Sequence, residues 1–157
     1  MAIPDGSLYL DGNLGAGTVA TLEDSSVNTV TAGASIKFGQ AVSIANGKAV
    51  PATLGPIFGI ALKRGYVDSD DFAPEAVEND QWNADEVVPV LRDGTVSALI
   101  SGDVDENDNV AVDANGLFKT AGATDEVVGT FLSEGDAGGV ANVQTRIKFA
   151  NAQAGGK

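Results

Sequence analysis

Cysteine and histidine are both absent from this 157-residue chain. Disulfide staples, Cys/His zinc sites and nucleophile triads that use a histidine base are therefore excluded, and folding cannot depend on redox state. Basic residues are scarce as well. Nine Lys and Arg stand against 22 Asp and Glu, a formal net charge of −13, too few to build a basic face for nucleic acid or an anionic membrane. Nowhere do apolar residues run for the roughly 18 to 20 positions of a membrane helix. The opening MAIPDGSLYL also lacks the basic start and apolar stretch of a signal peptide. A soluble protein made in the cytosol is expected.

Aromatic residues are few, at 6%, whereas apolar residues reach 43% and glycine fills 20 positions. Since most of the apolar residues are Ala and Val, this is the composition of a many-turned β protein. The length suits one compact body with a real core. Helical periodicity is missing, and short alternating runs bounded by Gly, Asn and Asp recur. They predict strands at Ser26–Thr31, Ala41–Ile44, Lys48–Pro51, Gly59–Leu62, Val87–Leu91, Thr95–Ile100, Val110–Val112, Phe118–Thr120, Val127–Leu132 and Ala141–Ile147, with a further one at Ser7–Leu10. ANGKA at 45–49 and ANGLF at 114–118 each place Asn-Gly between apolar runs. Each predicts a tight hairpin turn with both central residues at positive φ.

Both hairpins belong to an internal repeat. TAGASIKFGQAVSIANGKAV (31–50) aligns with ISGDVDENDNVAVDANGLFK (100–119) at an offset of about 69, and GIALKRG (59–65) aligns with GTFLSEG (129–135). Short strands of this kind leave the fewest exposed edges when they close into a small barrel. The expected fold is all-β, a small barrel or sandwich of short antiparallel strands built from two pseudo-repeats, with a flexible N-terminal arm. The expected boundaries are an arm over 1–25, a β-barrel domain over 26–148 and a flexible tail over 149–157. Within the domain lie pseudo-repeats of about 26–63 and 95–148, joined by an acidic link at 64–86.

Residues 101–113, SGDVDENDNVAVD, set Asp103, Asp105, Asn107 and Asn109 at alternate positions, as at the start of a calcium loop. Counting from Asp103, however, the sixth and twelfth places hold Asp108 and Ala114 where such a loop needs Gly and Glu. The matching turn of the first repeat is nearly uncharged, so the acids are not needed for the fold. A solvated acidic turn is favoured, with Val104, Val110 and Val112 facing the core; no metal and no cofactor are expected. GNLGAG (12–17) lacks dinucleotide-loop spacing and precedes a β-prone stretch, which favours an arm over a phosphate site. A Ser35–Lys37 pair on one strand face is ordinary alternation. LKRG at 62–65 is the most basic spot, read as a solvated strand end with two exposed cations. The link carries one Arg against eight Asp and Glu, yet contains Tyr66, Phe72 and Trp82. These three either pin the link to its own barrel or anchor a protein interface.

AGASIKFGQAVSIANGKAV, FGIAL, VPVLRDGTVSALISGDVDENDNVAVDANGLF and VVGTFLSEGDAGGVANVQT together resemble the tailed-bacteriophage capsid decoration (cement) proteins, over roughly residues 26–148. The resemblance implies a protein without enzymatic activity that binds the outside of a phage capsid and stabilises the lattice of its partner, the major capsid protein. It also implies a homo-oligomer, with a trimer favoured, and a place on the virion exterior after synthesis in the host cytoplasm. On that reading Leu8, Tyr9 and Leu10 in the arm and Tyr66, Phe72 and Trp82 in the link are the expected contacts with capsid or self. The alternative is a carbohydrate-binding or adhesive β module on the virion or cell surface, which would need aromatic side chains arrayed on a sheet face.

Overall fold

The computed structural model describes residues 14–64 and 80–146. Among them there are eleven strands and no helix. They are β1 (Ser26–Thr31), β2 (Ile36–Lys37), β3 (Ala41–Ala45), β4 (Lys48–Pro51), β5 (Gly59–Ala61), β6 (Gln81–Trp82), β7 (Val87–Leu99), β8 (Asn109–Val112), β9 (Phe118–Thr120), β10 (Gly129–Phe131) and β11 (Val140–Arg146). The all-β expectation holds; the expected strand at Ser7–Leu10 lies outside the described residues.

Two sets of pairings obey one pattern. In the first half β4 pairs β3, β3 pairs β5, β5 pairs β7, and β7 pairs β1. In the second half β9 pairs β8, β8 pairs β10, β10 pairs β11, and β11 pairs the far end of β7. Each half then curls toward closure through a parallel bridge, Ala32 to Ala49 in one and Ile100 to Phe118 in the other. The offsets of 68 and 69 between these bridging residues match the sequence repeat. β7 is thus shared, giving its first residues to one half and its last to the other.

The sequence predicts two strands where β7 runs unbroken for 13 residues, because Arg92-Asp93-Gly94 reads as a turn. In the fold the segment bends instead. Ser26 pairs Asp93 and Val27 pairs Leu91, leaving Arg92 as a bulge, and Gly94 takes φ 135°. The Asn-Gly turns also differ from each other. Asn46 and Gly47 have φ 51° and 76°, as expected of a two-residue hairpin, but at the second site only Gly116 is left-handed. The reason is docking. The Ala41 amide donates to the Gly116 carbonyl at 2.9 Å, Leu54 to Asp113 at 3.1 Å, and the Gln40 side chain to Asn115 at 2.8 Å. Asp113 meanwhile accepts from the amides of Asn115 and Leu117. The second hairpin tip is built against the first half, whereas the first tip projects freely.

Two apolar clusters fill the molecule. One contains Ala32, Ile36, Val42, Ala49, Ala61, Val88 and Val90. Their repeat partners Ile100, Val104, Val110, Phe118, Phe131, Ala141 and Val143 lie in the other. Ala41, Ile60 and Leu91 join this second cluster from the opposite face of the first half's sheet, so that face is buried too. The expected core positions Val104, Val110 and Val112 are 4%, 0% and 2% exposed.

Candidate interaction surface

Set side by side, the two clusters show an imbalance of volume. Ala32, Ala49 and Ala61 stand where the second half has Ile100, Phe118 and Phe131. Native interiors tolerate few voids, and Trp82 fills this one. It is 9% exposed and belongs to the same cluster, with Phe38 and Phe58 packed against it. The Trp82 ring meets Phe38 edge-on, with centroids 5.8 Å apart at 64°, and its Nε1 donates to the Leu62 carbonyl at 2.8 Å. The Arg64 guanidinium sits 4.4 Å above the ring.

Of the residues named from sequence as contacts, only Trp82 is among those described, and its indole is taken up by its own barrel. Leu8, Tyr9, Leu10, Tyr66 and Phe72 lie outside the described residues. The expectation of two exposed cations at the end of LKRG needs correction. Lys63 is exposed, but the Arg64 side chain is 17% exposed and paired with Glu86 at 2.5 Å, because the indole beneath it and the carboxylate beside it both attract a guanidinium.

Glu86 also accepts from the Asn83 amide at 2.5 Å. Burial is the largest single influence on this carboxyl and favours its neutral form. The hydrogen bonds from Arg64 and Asn83 and the Arg64 charge together outweigh it and hold the pKa below its ordinary value. A carboxyl lowered on folding contributes stability above its unfolded pKa, and that contribution is lost as pH falls through the folded one. Melting temperature measured against pH should therefore drop on the acid side, and Glu86→Gln should flatten part of that drop. An unchanged acid limb in the variant would remove Glu86 from the account.

On the outer side of β7, residues 17–20 run beside its far end. Gly17 donates to the Ser97 carbonyl, Ser97 to Thr18, and Ala20 to Thr95, while Val19 bridges Val96. The chain enters this stretch at Leu14, whose carbonyl accepts from the Ser97 hydroxyl at 2.9 Å. Nearby, Glu23 accepts from the Thr95 hydroxyl and the Gln144 amide, and faces Arg146, which also bonds the buried Asp93 at 2.9 Å. The Thr95 hydrogen bond is the main cause that holds Glu23 below the usual carboxylate range. These contacts fasten residues 14–25 to the sheet. The exposed apolar residues include Leu22, wholly solvent-facing, together with Val27 and Val87 beside β1.

The expectation that the acids of the turn at 101–113 are not needed for the fold is corrected, since two of them are hydrogen-bonded to neighbouring segments. Asp103 accepts from the Ala137 amide at 2.9 Å and Asp108 from the Thr120 hydroxyl at 2.9 Å, while the Asn107 amide donates to the Phe131 carbonyl at 2.8 Å. Beside it lies an open groove of about 710 Å³ between this turn and Glu134–Val140. Val104 bridges Gly135 there, as Ile36 pairs Trp82 in the first half. Among the described residues no three acids converge to hold a metal ion. Calcium is expected to leave the melting temperature unchanged; a rise abolished by Asp105→Ala would restore a metal site.

A sequence model of the family described as structural cement protein (E217 gp24/Pam3 gp6) matches residues 10–146. The chain belongs to this structural cement protein family. The match takes in the two-half β body and all of residues 14–25 and the link, so the cement protein reading extends to the segments that carry no recognisable turn motif. Among solved structures the cement protein is similar in fold to the head fiber gp8.5 N base of bacteriophage phi29. The TM-score is 0.53 and the identity 12%, over 78% of this chain and 94% of that one. No curated protein matches the sequence.

Proposed function

We propose that this cement protein binds the outside of a phage head and stabilises the lattice of the major capsid protein, without a catalytic step. Membership of the structural cement family over residues 10–146 carries the reading. The mechanism is mechanical. A protein that binds the assembled, expanded shell in preference to free subunits shifts the equilibrium toward the shell, and repetition across the lattice multiplies each modest contact. Tyr66 and Phe72, on the link whose far end Trp82 plugs into the barrel, meet the lattice. Leu8, Tyr9 and Leu10 meet the lattice or a neighbouring copy, and the working form is a trimer on the virion exterior.

The test is sedimentation with expanded empty heads of the cognate phage. The full chain should co-sediment and raise the temperature at which the heads rupture, while a chain lacking residues 1–12 should occupy fewer sites. Absence of binding to cognate heads would overturn the capsid reading. Unchanged occupancy after the deletion would remove the arm from it.

A further inference from the structure

The internal repeat makes one edge of the molecule conspicuous. β7 in the second half occupies the place that β1 occupies in the first: Ile100 follows the one strand as Ala32 follows the other, and both residues make the same parallel bridge. The outer edge of β7 is covered by residues 17–20, which lie antiparallel along Thr95 and Ser97. At an offset of 68, Thr95 and Ser97 correspond to Val27 and Thr29.

No described residue covers that equivalent edge. β1 pairs only β7. The Ala32 amide donates to Glu86, so by alternation Val30 and Asn28 turn toward β7, and the backbone groups of Val27 and Thr29 point outward. No hydrogen bond from the described residues reaches those outward groups. Natural edge strands are usually guarded by charge, Pro or a covering element. Of the other edges, those of β4 and β9 each carry a bridge, at Ala49 and Phe118, and the far part of β7 is lined by residues 17–20. SVNTVT has neither charge nor Pro, and side chains on both its faces are exposed at 27–29. Val27, within it, adds an exposed apolar side chain.

We propose that the outer edge of β1 accepts residues Ser7–Leu10 of a second copy of this chain as an added strand. The inference rests on the cement reading and names the partner of the arm. The second half shows the kind of segment that such an edge takes, a short uncharged stretch from the N-terminal region. Gly6-Ser7-Leu8 repeats the Gly-hydroxyl-aliphatic order of Gly17-Thr18-Val19 eleven residues upstream. Reach argues against the chain's own β1. Leu10 lies four residues from Leu14, about 14 Å of fully extended chain. Leu14 is fixed at Ser97, and Asn28 pairs Val90, seven residues and about 23 Å further along β7. An arm that crosses to the next copy makes a head-to-tail contact, which closes into a ring when the rotation allows.

A chain without cysteine permits a direct test. Leu8→Cys or Leu10→Cys in one preparation is mixed with Thr29→Cys in another and oxidised; opposed strand residues stand within disulfide distance. A disulfide-linked dimer in the mixture, together with a fall to monomer mass in light scattering when residues 1–12 are deleted, is the expected result. Failure of both pairs to cross-link overturns the proposal, as does a bond formed only within one chain of a double variant, or a mass unchanged by the deletion. Head binding without the cross-link would sink this inference alone, whereas the cross-link without head binding would sink the capsid reading alone.

Discussion

Replacing Trp82 by alanine should lower the free energy of unfolding by about 3–5 kcal/mol, the range for deleting a large aromatic side chain from a core. The site cannot easily collapse, because Ala32, Ala49 and Ala61 of the same buried cluster have no side-chain length with which to fill the space. The loss also strands the Leu62 carbonyl, which accepts the Trp82 N–H at 2.8 Å, and removes the ring beneath Arg64. Against the marginal stability of about 5–15 kcal/mol typical of domains, that is enough to leave the first half poorly formed. Urea denaturation followed by circular dichroism measures it. Trp82→Phe keeps one aromatic ring but gives up the hydrogen bond and the smaller ring of the indole, so an intermediate cost of about 1–3 kcal/mol is expected. If Trp82→Ala costs no more than about 0.5 kcal/mol, the value usual for surface changes, the volume argument fails. Because the same indole closes the far end of the link, the variant should also reduce head binding wherever Tyr66 and Phe72 are engaged.

Gly59→Ala and Gly129→Ala should each destabilise by about 1–3 kcal/mol or more, the cost of forcing atoms into a packed interior. These glycines begin β5 and β10, equivalent strands of the two halves. A β-carbon on Gly59 would stand 2.5 Å from both the Leu91 carbonyl oxygen and a Val90 methyl, and one on Gly129 would fall against the Gln144 carbonyl. Most of these obstacles are backbone of the neighbouring strand, which cannot swing aside as a side-chain tip can. A matched control is Gly47→Ala, where nothing lies within 4 Å and only the φ of 76° resists, so a smaller loss is expected. Equal costs at Gly59 and Gly47 would show that conformation, not close approach, explains the recurring glycine.

Much of this was readable from local pattern. Alternation and turn chemistry are properties of neighbouring residues, and they placed β1, β4 and β9 at their observed bounds and the core valines on their observed face. The repeat was legible for the same reason, since two copies of one unit need the same turns. The candidate contacts were less accessible. Tyr66, Phe72 and Trp82 look alike in a sequence, being aromatic residues in an acidic stretch. Only the cavity left by three alanines distant in the chain assigns Trp82 to the interior.

The arm and the second hairpin show the same limit. Asn115-Gly116 carries the sequence of a two-residue turn, yet its tip is shaped by hydrogen bonds from Ala41 and Gln40, about seventy residues away. Arg92-Asp93-Gly94 carries the sequence of a break, yet ladders on both sides hold it within one strand.

By itself the sequence determined the β class, the duplication, the exclusion of cysteine- and histidine-based chemistry, and the resemblance to capsid cement proteins. These follow from composition and from interactions only a few residues long. Tertiary structure alone decided that β7 serves both halves, that Trp82 replaces missing core volume, and that no described residue pairs with the outer edge of β1. Each depends on which surfaces meet after the chain has closed, and that is set by volume and hydrogen-bond satisfaction between segments far apart in sequence.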